Sequence, residues 1–289
     1  MGKFVYKNEE SMKKIHAFYD KALASLNVDY EDFNIQTSFG KTHILIVGDK
    51  NKKPLFTLHG GNGINPLNLQ LFLPLLDEYY FIAPDVIGMP GKSEPYRNLC
   101  PKKDDYGNWI NEILDELEID NIMFVVSSYS SAMTLSLAKV YPEKISKAAL
   151  VVPSGIARGP LLPIMWSMSI PFMKYYFSPS KKTMDGILNT MGGKGEDIWY
   201  EFFDLMMTSY KMEMRAPKFF NKDELTRFIS PVLIIASSED VFFPANAVFS
   251  KADKIFTGEV KKMKISGKHL PSPSVMDDVC KAIVDFDYK

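Results

Sequence analysis

Short apolar runs, separated by polar stretches, recur along this chain. Residues 43–47, 55–58, 80–83, 122–126, 148–152 and 232–236 are rich in apolar side chains, many of them β-branched or aromatic, at strand rather than helix length, and 260–265, with apolar residues between lysines, is a further candidate strand. Between several of them, 66–76, 104–117, 132–141 and 274–286 read as helices. Strands alternating with helices predict a mostly parallel sheet covered on both faces. Residues 33–38 and 42–47 flank Phe39-Gly40-Lys41, which predicts a hairpin and so a mixed sheet at its start. Met12, Ile15, Phe18, Ala22, Leu23 and Leu26 recur at helical spacing. They predict an amphipathic helix packed on the body rather than a signal peptide.

The alternation stops over 156–229, a stretch without a clear strand that holds nine of the 16 methionines. Pro160, Pro163, Pro171 and Pro179 segment its first half. The pattern predicts a helical cap inserted between two parts of one core, 1–155 and 230–289. Met is pliable and suits a pocket for varied apolar groups. Met165, Trp166 and Met206 are the candidate substrate-facing side chains, although the same residues would equally serve to glue the cap to the body. Asn221 with Glu224 three residues on forms a capping-box pattern and predicts a restarted helix.

Composition narrows the class. A formal net charge of -1 gives no field to attract nucleic acid or an anionic membrane. No apolar run is long enough to span a bilayer. Two cysteines far apart, Cys100 and Cys280, suit a reducing cytoplasm better than a disulfide framework. No Cys or His spacing suggests a metal, so neither a metal nor a cofactor is expected.

The chemistry centres on 124–133, where Phe124-Val125-Val126 runs into Ser127-Ser128-Tyr129-Ser130-Ser131 and then into an apolar helix pattern. A serine on a sharp strand-to-helix turn has an exposed hydroxyl, as a nucleophile needs. Acyl transfer also requires a base and an acid that orients it. Of four histidines, His16 falls on the first helix, His43 in a strand and His59 in a glycine loop. His269 lies in the loop between the last strand and the last helix, and is the candidate base. Strand 232–236 ends in Ser237-Ser238-Glu239-Asp240, making Asp240 the candidate acid and Glu239 its close neighbour. The loop His59-Gly60-Gly61-Asn62-Gly63 lets backbone N–H groups approach an oxyanion; no Gly-Lys-Ser/Thr follows, so a phosphate loop does not fit. Gly61 and the residue after the nucleophile, which is Tyr129 where the family resemblance below places the nucleophile, are the candidate donors.

Taken in order, His59-Gly60-Gly61, the stretch from Asp85 to Ser93, the serine turn, Tyr141-Pro142-Glu143-Lys144-Ile145, 231–240 and Gly267-Lys268-His269 resemble the α/β-hydrolase family. Phe39-Gly40-Lys41-Thr42-His43 and Asp105-Tyr106-Gly107-Asn108-Trp109 resemble its serine carboxylesterase branch. The resemblance implies the α/β-hydrolase fold and the order Ser, Asp, His along the chain. It also implies a nucleophile thirteen residues before Tyr141, which is Ser128. Ser130 as nucleophile would shift that register by two. Val126 and Ser130 stand where the family has glycines, so strain or a shifted backbone is expected at Val126. Asp85 is implied to anchor the loop shaped by Gly88, Gly91 and Ser93.

The expected protein is a cytoplasmic serine hydrolase acting on a small, largely apolar ester through an acyl-enzyme. Its partner is that substrate, with no nucleic acid or membrane. The same triad would serve a thioester, lactone, amide or C–C bond. The missing glycines leave a non-catalytic, ligand-binding scaffold open.

Overall fold

A computed structural model describes residues 2–288. The strands are β1 (Tyr30–Thr37), β2 (Gly40–Val47), β3 (Lys53–Phe56), β4 (Tyr79–Pro84), β5 (Ile122–Ser127), β6 (Ile145–Val151), β7 (Val232–Ser237) and β8 (Val260–Ile265). They form one sheet in the order β1-β2-β4-β3-β5-β6-β7-β8. β1 and β2 make the antiparallel hairpin, Thr37 opposite Gly40, and β2 runs antiparallel to β4. Every later pairing is parallel.

Side-chain alternation along the central strands builds two cores, one on each face. On β5, Ile122, Phe124 and Val126 face one core with Trp109, Ile113 and Leu137. Met123 and Val125 face the other, with Leu69, Phe72, Val279 and Ile283. Strands buried on both sides are why their sequences are apolar throughout. The covering helices are α1 (Glu9–Ser25), α2 (Asn65–Phe72), α3 (Asp105–Glu116), α4 (Tyr129–Val140), α9 (Ala245–Ile255) and α10 (Pro273–Tyr288). α2 ends at Phe72 and tightens into a 3₁₀ turn, Leu73–Asp77, where Pro74 withholds an N–H; the sequence pattern ran on to 76.

Between β6 and β7 the chain is helical: α5 (Leu161–Ile164), α6 (Ile170–Phe177), α7 (Lys181–Met191) and α8 (Asp197–Ser209), with a π turn, Met165–Ser169, joining the first two. The helix expected from Asn221 does not form. Its capping bonds do, Glu224 N–H to Asn221 Oδ1 at 3.1 Å and Asn221 N–H to Glu224 Oε2 at 3.3 Å. Only turns follow, and they bury Leu225 and Phe228. Pro231 disfavours helical backbone at the residue before it and bounds this stretch of turns.

The N-terminal segment is tied to the far end of this insertion. Lys7 N–H bonds Ser209 O at 2.9 Å and Lys211 N–H bonds Val5 O at 2.7 Å. Phe18 of α1 packs on Phe202 of α8 at 5.8 Å between ring centroids. Among the described residues no helix is long and apolar enough to cross a membrane.

Candidate active site

β5 delivers Ser128 to a turn too tight for a normal backbone, so the residue sits at φ 56, ψ −121 before α4 begins at Tyr129. This is left-handed territory for a non-glycine residue, and it is held from both sides. Ser128 N–H bonds Val151 O at 2.9 Å, and Ser154 N–H bonds Ser128 O at 3.1 Å. Inside the turn, Ser130 Oγ donates to Ser127 O at 2.6 Å and accepts from Ser127 N–H at 3.1 Å. Ser130 is fully buried with its hydroxyl engaged, so it braces the turn. The strain expected at Val126 is absent. Val126 is an ordinary strand residue with its side chain in the core, and the positive φ falls on Ser128 instead.

Ser128 Oγ lies 2.8 Å from His269 Nε2, and His269 Nδ1 lies 2.7 Å from Asp240 Oδ2. Asp240 is buried, whereas the neighbouring Glu239 is exposed. Burial pushes the Asp240 carboxyl up, but the His269 charge and hydrogen bond, with the Phe242 and Phe243 N–H groups, outweigh it and hold the pKa below the usual value. Phe242 and Phe243 flank the His269 ring at 5.1 and 5.7 Å between centroids. The loop carrying His269 is anchored on both sides. Glu239 N–H bonds Gly267 O at 3.0 Å, and Leu270 N–H bonds the Met191 carbonyl at the end of α7 at 2.6 Å. Lys268 Nζ adds a bond to Asn189 O at 2.6 Å.

The glycine loop lies over the serine turn. A Cβ on Gly61 would sit 3.0 Å from Tyr129 Cβ and Cδ2, a clearance only glycine tolerates well. The Tyr129 N–H is at the first position of α4 and has no helical carbonyl to donate to. His59, fully buried, accepts from Val86 N–H at Nε2 (3.1 Å), so its proton sits on Nδ1 and donates to Gly60 O at 2.9 Å. Burial lowers its pKa and keeps it neutral. Asn62, at φ 56, bonds both the N–H and the carbonyl of Glu213 through its side chain. Burial raises the Glu213 carboxyl, but Arg215 and Arg97 outweigh this and lower it.

A second histidine–carboxylate group lies elsewhere. His43 Nδ1 bonds Asp85 Oδ2 and its Nε2 bonds Asp32 Oδ2, each at 3.0 Å. Asp85 also accepts from Asn65 Nδ2 at 2.8 Å and Lys92 N–H at 2.9 Å, while Ser93 Oγ donates to Asp85 O at 2.6 Å. Both ring nitrogens of His43 are engaged and the ring is buried, so this group binds the hairpin to the loop after β4. Trp109 Nε1 on α3 donates to Thr42 Oγ1 at 2.9 Å, joining the two carboxylesterase-like stretches.

Ser128, His269 and the glycine loop open into a cavity of about 110 Å³. Its walls are mostly apolar: Leu67, Leu71 and Phe72 from α2, Trp199, Phe202 and Phe203 from α8, and Met191. Met165, Trp166 and Met206 do not line it. Met165 and Trp166 point outward, 41% and 66% exposed, and Met206 is buried against the core that includes α1. Methionine-rich composition did not say which helix face of 156–229 turns inward. The signal available was the Trp199, Phe202, Phe203 spacing, one helical face. Asn62 stood out only as part of the glycine loop, and nothing in the sequence pointed to Glu213. Among the described residues no group of three or more His, Cys, Asp or Glu could hold a metal.

A family model described as alpha/beta hydrolase fold matches residues 53–184. The chain is 29% identical over 136 residues to the "Uncharacterized carboxylesterase nap" of Bacillus subtilis, a match spanning 47% of this chain and 45% of that one. It is 22% identical to "Carboxylesterase YbfK" of the same organism, over 96% of this chain and 94% of the relative. The solved naproxen esterase (carboxylesterase NP) of B. subtilis superposes with a TM-score of 0.81 at 20% identity, covering 95% of this chain and 97% of that one. The chain has the α/β-hydrolase fold and is similar to carboxylesterases.

Proposed function

We propose that the protein is a serine hydrolase that cleaves the carboxylic ester of a small, largely apolar substrate through an acyl-enzyme. The observation that carries this is the unbroken line from Ser128 Oγ to His269 Nε2 (2.8 Å) and from His269 Nδ1 to Asp240 Oδ2 (2.7 Å), opening on an apolar cavity. Similarity to carboxylesterases supports ester hydrolysis in general.

In this mechanism Ser128 Oγ bonds the ester carbonyl carbon while His269 Nε2 takes its proton. Asp240 holds the proton on Nδ1 and stabilises the imidazolium. The carbonyl oxygen becomes an oxyanion between the N–H groups of Gly61 and Tyr129, each worth about 3 kcal/mol in the transition state. Collapse breaks the C–O bond, and His269 returns its proton to the leaving alcohol. Water, deprotonated by the same imidazole, then cleaves the acyl-enzyme. The helices of 156–229 act as a cap that keeps this cavity dry, over a core built from 1–155 and 230–289. Two unpaired cysteines suit a cytoplasmic setting.

The two missing glycines, which favoured a non-catalytic scaffold, lose weight because Val126 sits in the core at no backbone cost. The test is an alkyl fluorophosphonate followed by peptide mass mapping. Labelling at Ser128, lost in Ser128→Ala, is expected together with hydrolysis of 4-nitrophenyl esters. A wild-type protein that neither labels nor hydrolyses them would refute the proposal.

A further inference from the structure

Beyond the cavity at Ser128 lies a second one of about 90 Å³. Leu71, Trp199, Leu270, Pro271 and Met276 line both. The two chambers therefore share one wall of side chains. The inner chamber ends at the reacting serine. The outer one ends at a polar rim that includes Gln70, Glu196 and Asp277, all exposed.

The shared wall is uneven in stiffness. Trp199 is held on one side by the Gly193 backbone, where a Cβ would come within 3.1 Å of its Cγ. On the other side it meets Phe202 and Phe203 at 6.3 and 6.4 Å between centroids. Leu71, Leu270 and Met276 are flexible chains by comparison, and Met in particular adapts to its neighbours. This unevenness favours an unbranched arm, which asks only rotamer changes of the flexible chains, over a branched or ring-bearing one.

We propose that the outer chamber is the second half of a two-chamber binding site, with Trp199 as its specificity-determining residue. The site takes an ester with one unbranched alkyl arm that runs from Ser128, past Trp199, to the polar rim. This rests on the ester-hydrolase reading above. The arm belongs to either the acid or the alcohol of the ester, and the chemistry of the passage is the same for both.

Two substrate series distinguish them: 4-nitrophenyl esters of acids from two to ten carbons, and acetates of alcohols over the same range. In one series, kcat/KM of the wild type is expected to hold or rise to about eight carbons. Gln70→Trp, at an exposed position lining only the outer chamber, should then lower the eight-to-two-carbon ratio about 10-fold in that series. Trp199→Ala should raise the ratio for a branched or phenyl-ended arm over the unbranched arm by a similar factor. The series that responds identifies the arm. Activity in both series that falls away beyond four carbons, or variants that change all lengths equally, would overturn the two-chamber site while leaving the hydrolase reading intact. Failure of the fluorophosphonate to label Ser128 would instead remove the reading on which it rests.

Discussion

Replacing Ser128 by alanine removes the oxygen 2.8 Å from His269 Nε2 and is expected to lower turnover by about 10⁶. Ser130→Ala removes a brace. It leaves the Ser127 N–H without its buried acceptor, so a stability loss of about 1–2 kcal/mol by urea denaturation is expected, with turnover within about 10-fold of wild type. A reversal of the two kinetic effects would identify Ser130 as the nucleophile. His43 makes a different prediction. Burial alone would lower its pKa, but Asp85 and Asp32 outweigh burial and raise it. A folded pKa above the unfolded value of about 6.5 gives stabilisation that is complete below that value and is lost as pH rises through the folded pKa. His16 and His59, both lowered by burial, act at lower pH and do not mask this. Urea midpoints should therefore decline above about pH 6.5 in the wild type, and His43→Gln should flatten the decline; equal slopes for both proteins would count against the assignment.

The serine turn and the Asp240 turn follow strands whose apolar runs end abruptly, and the His269 loop lies between the last strand and the last helix, which is why these elements and their order were legible from sequence. The hairpin was legible from Gly40 between two alternating runs. What joins the elements was not. Leu270 docks on the last carbonyl of α7, and the following Gly192 sits at φ 112 with its α-carbon against the Leu270 carbonyl. Such a contact depends on where two distant backbones meet, and no local pattern encodes it. Gly192→Ala would strain the backbone and push on Leu270, displacing His269. We expect a stability loss of about 1–2 kcal/mol and a fall in kcat greater than any change in KM. Unchanged kcat in a destabilised variant would uncouple α7 from the base. Asn62→Ala tests the opposite side of the site, since it frees the glycine loop from Glu213. There, kcat for 4-nitrophenyl acetate should drop about 10-fold or more with little change in KM, because a looser donor costs most when the oxyanion forms.

For the whole molecule, stability rests on the two cores flanking the sheet rather than on cross-links. Cys100 is half-buried and Cys280 is buried, both free. Burial pushes the Cys280 thiol up to about 12, so it carries almost no thiolate at neutral pH. Dithiothreitol should leave the melting temperature unchanged, and a shift of several degrees would reveal a disulfide. The outward placement of Trp166 shows where sequence reading stops at this scale. Trp166 sits in the π turn between α5 and α6, where the regular helical spacing that marks the inward face of α8 is interrupted.

The tie between α1 and α8 has a consequence for synthesis. Ile15, Phe18 and Leu23 of α1 are buried in the finished protein, Phe18 against Phe202, and residues 5 and 7 bond partners near 210. These partners emerge from the ribosome about 190 residues later, roughly 10–40 s at ordinary elongation rates. Through that interval a nascent chain holds an apolar helix face without the part of its cover that α8 supplies. Chaperone crosslinking to α1 should persist in chains stalled before residue 197 and fade once α8 has cleared the exit tunnel.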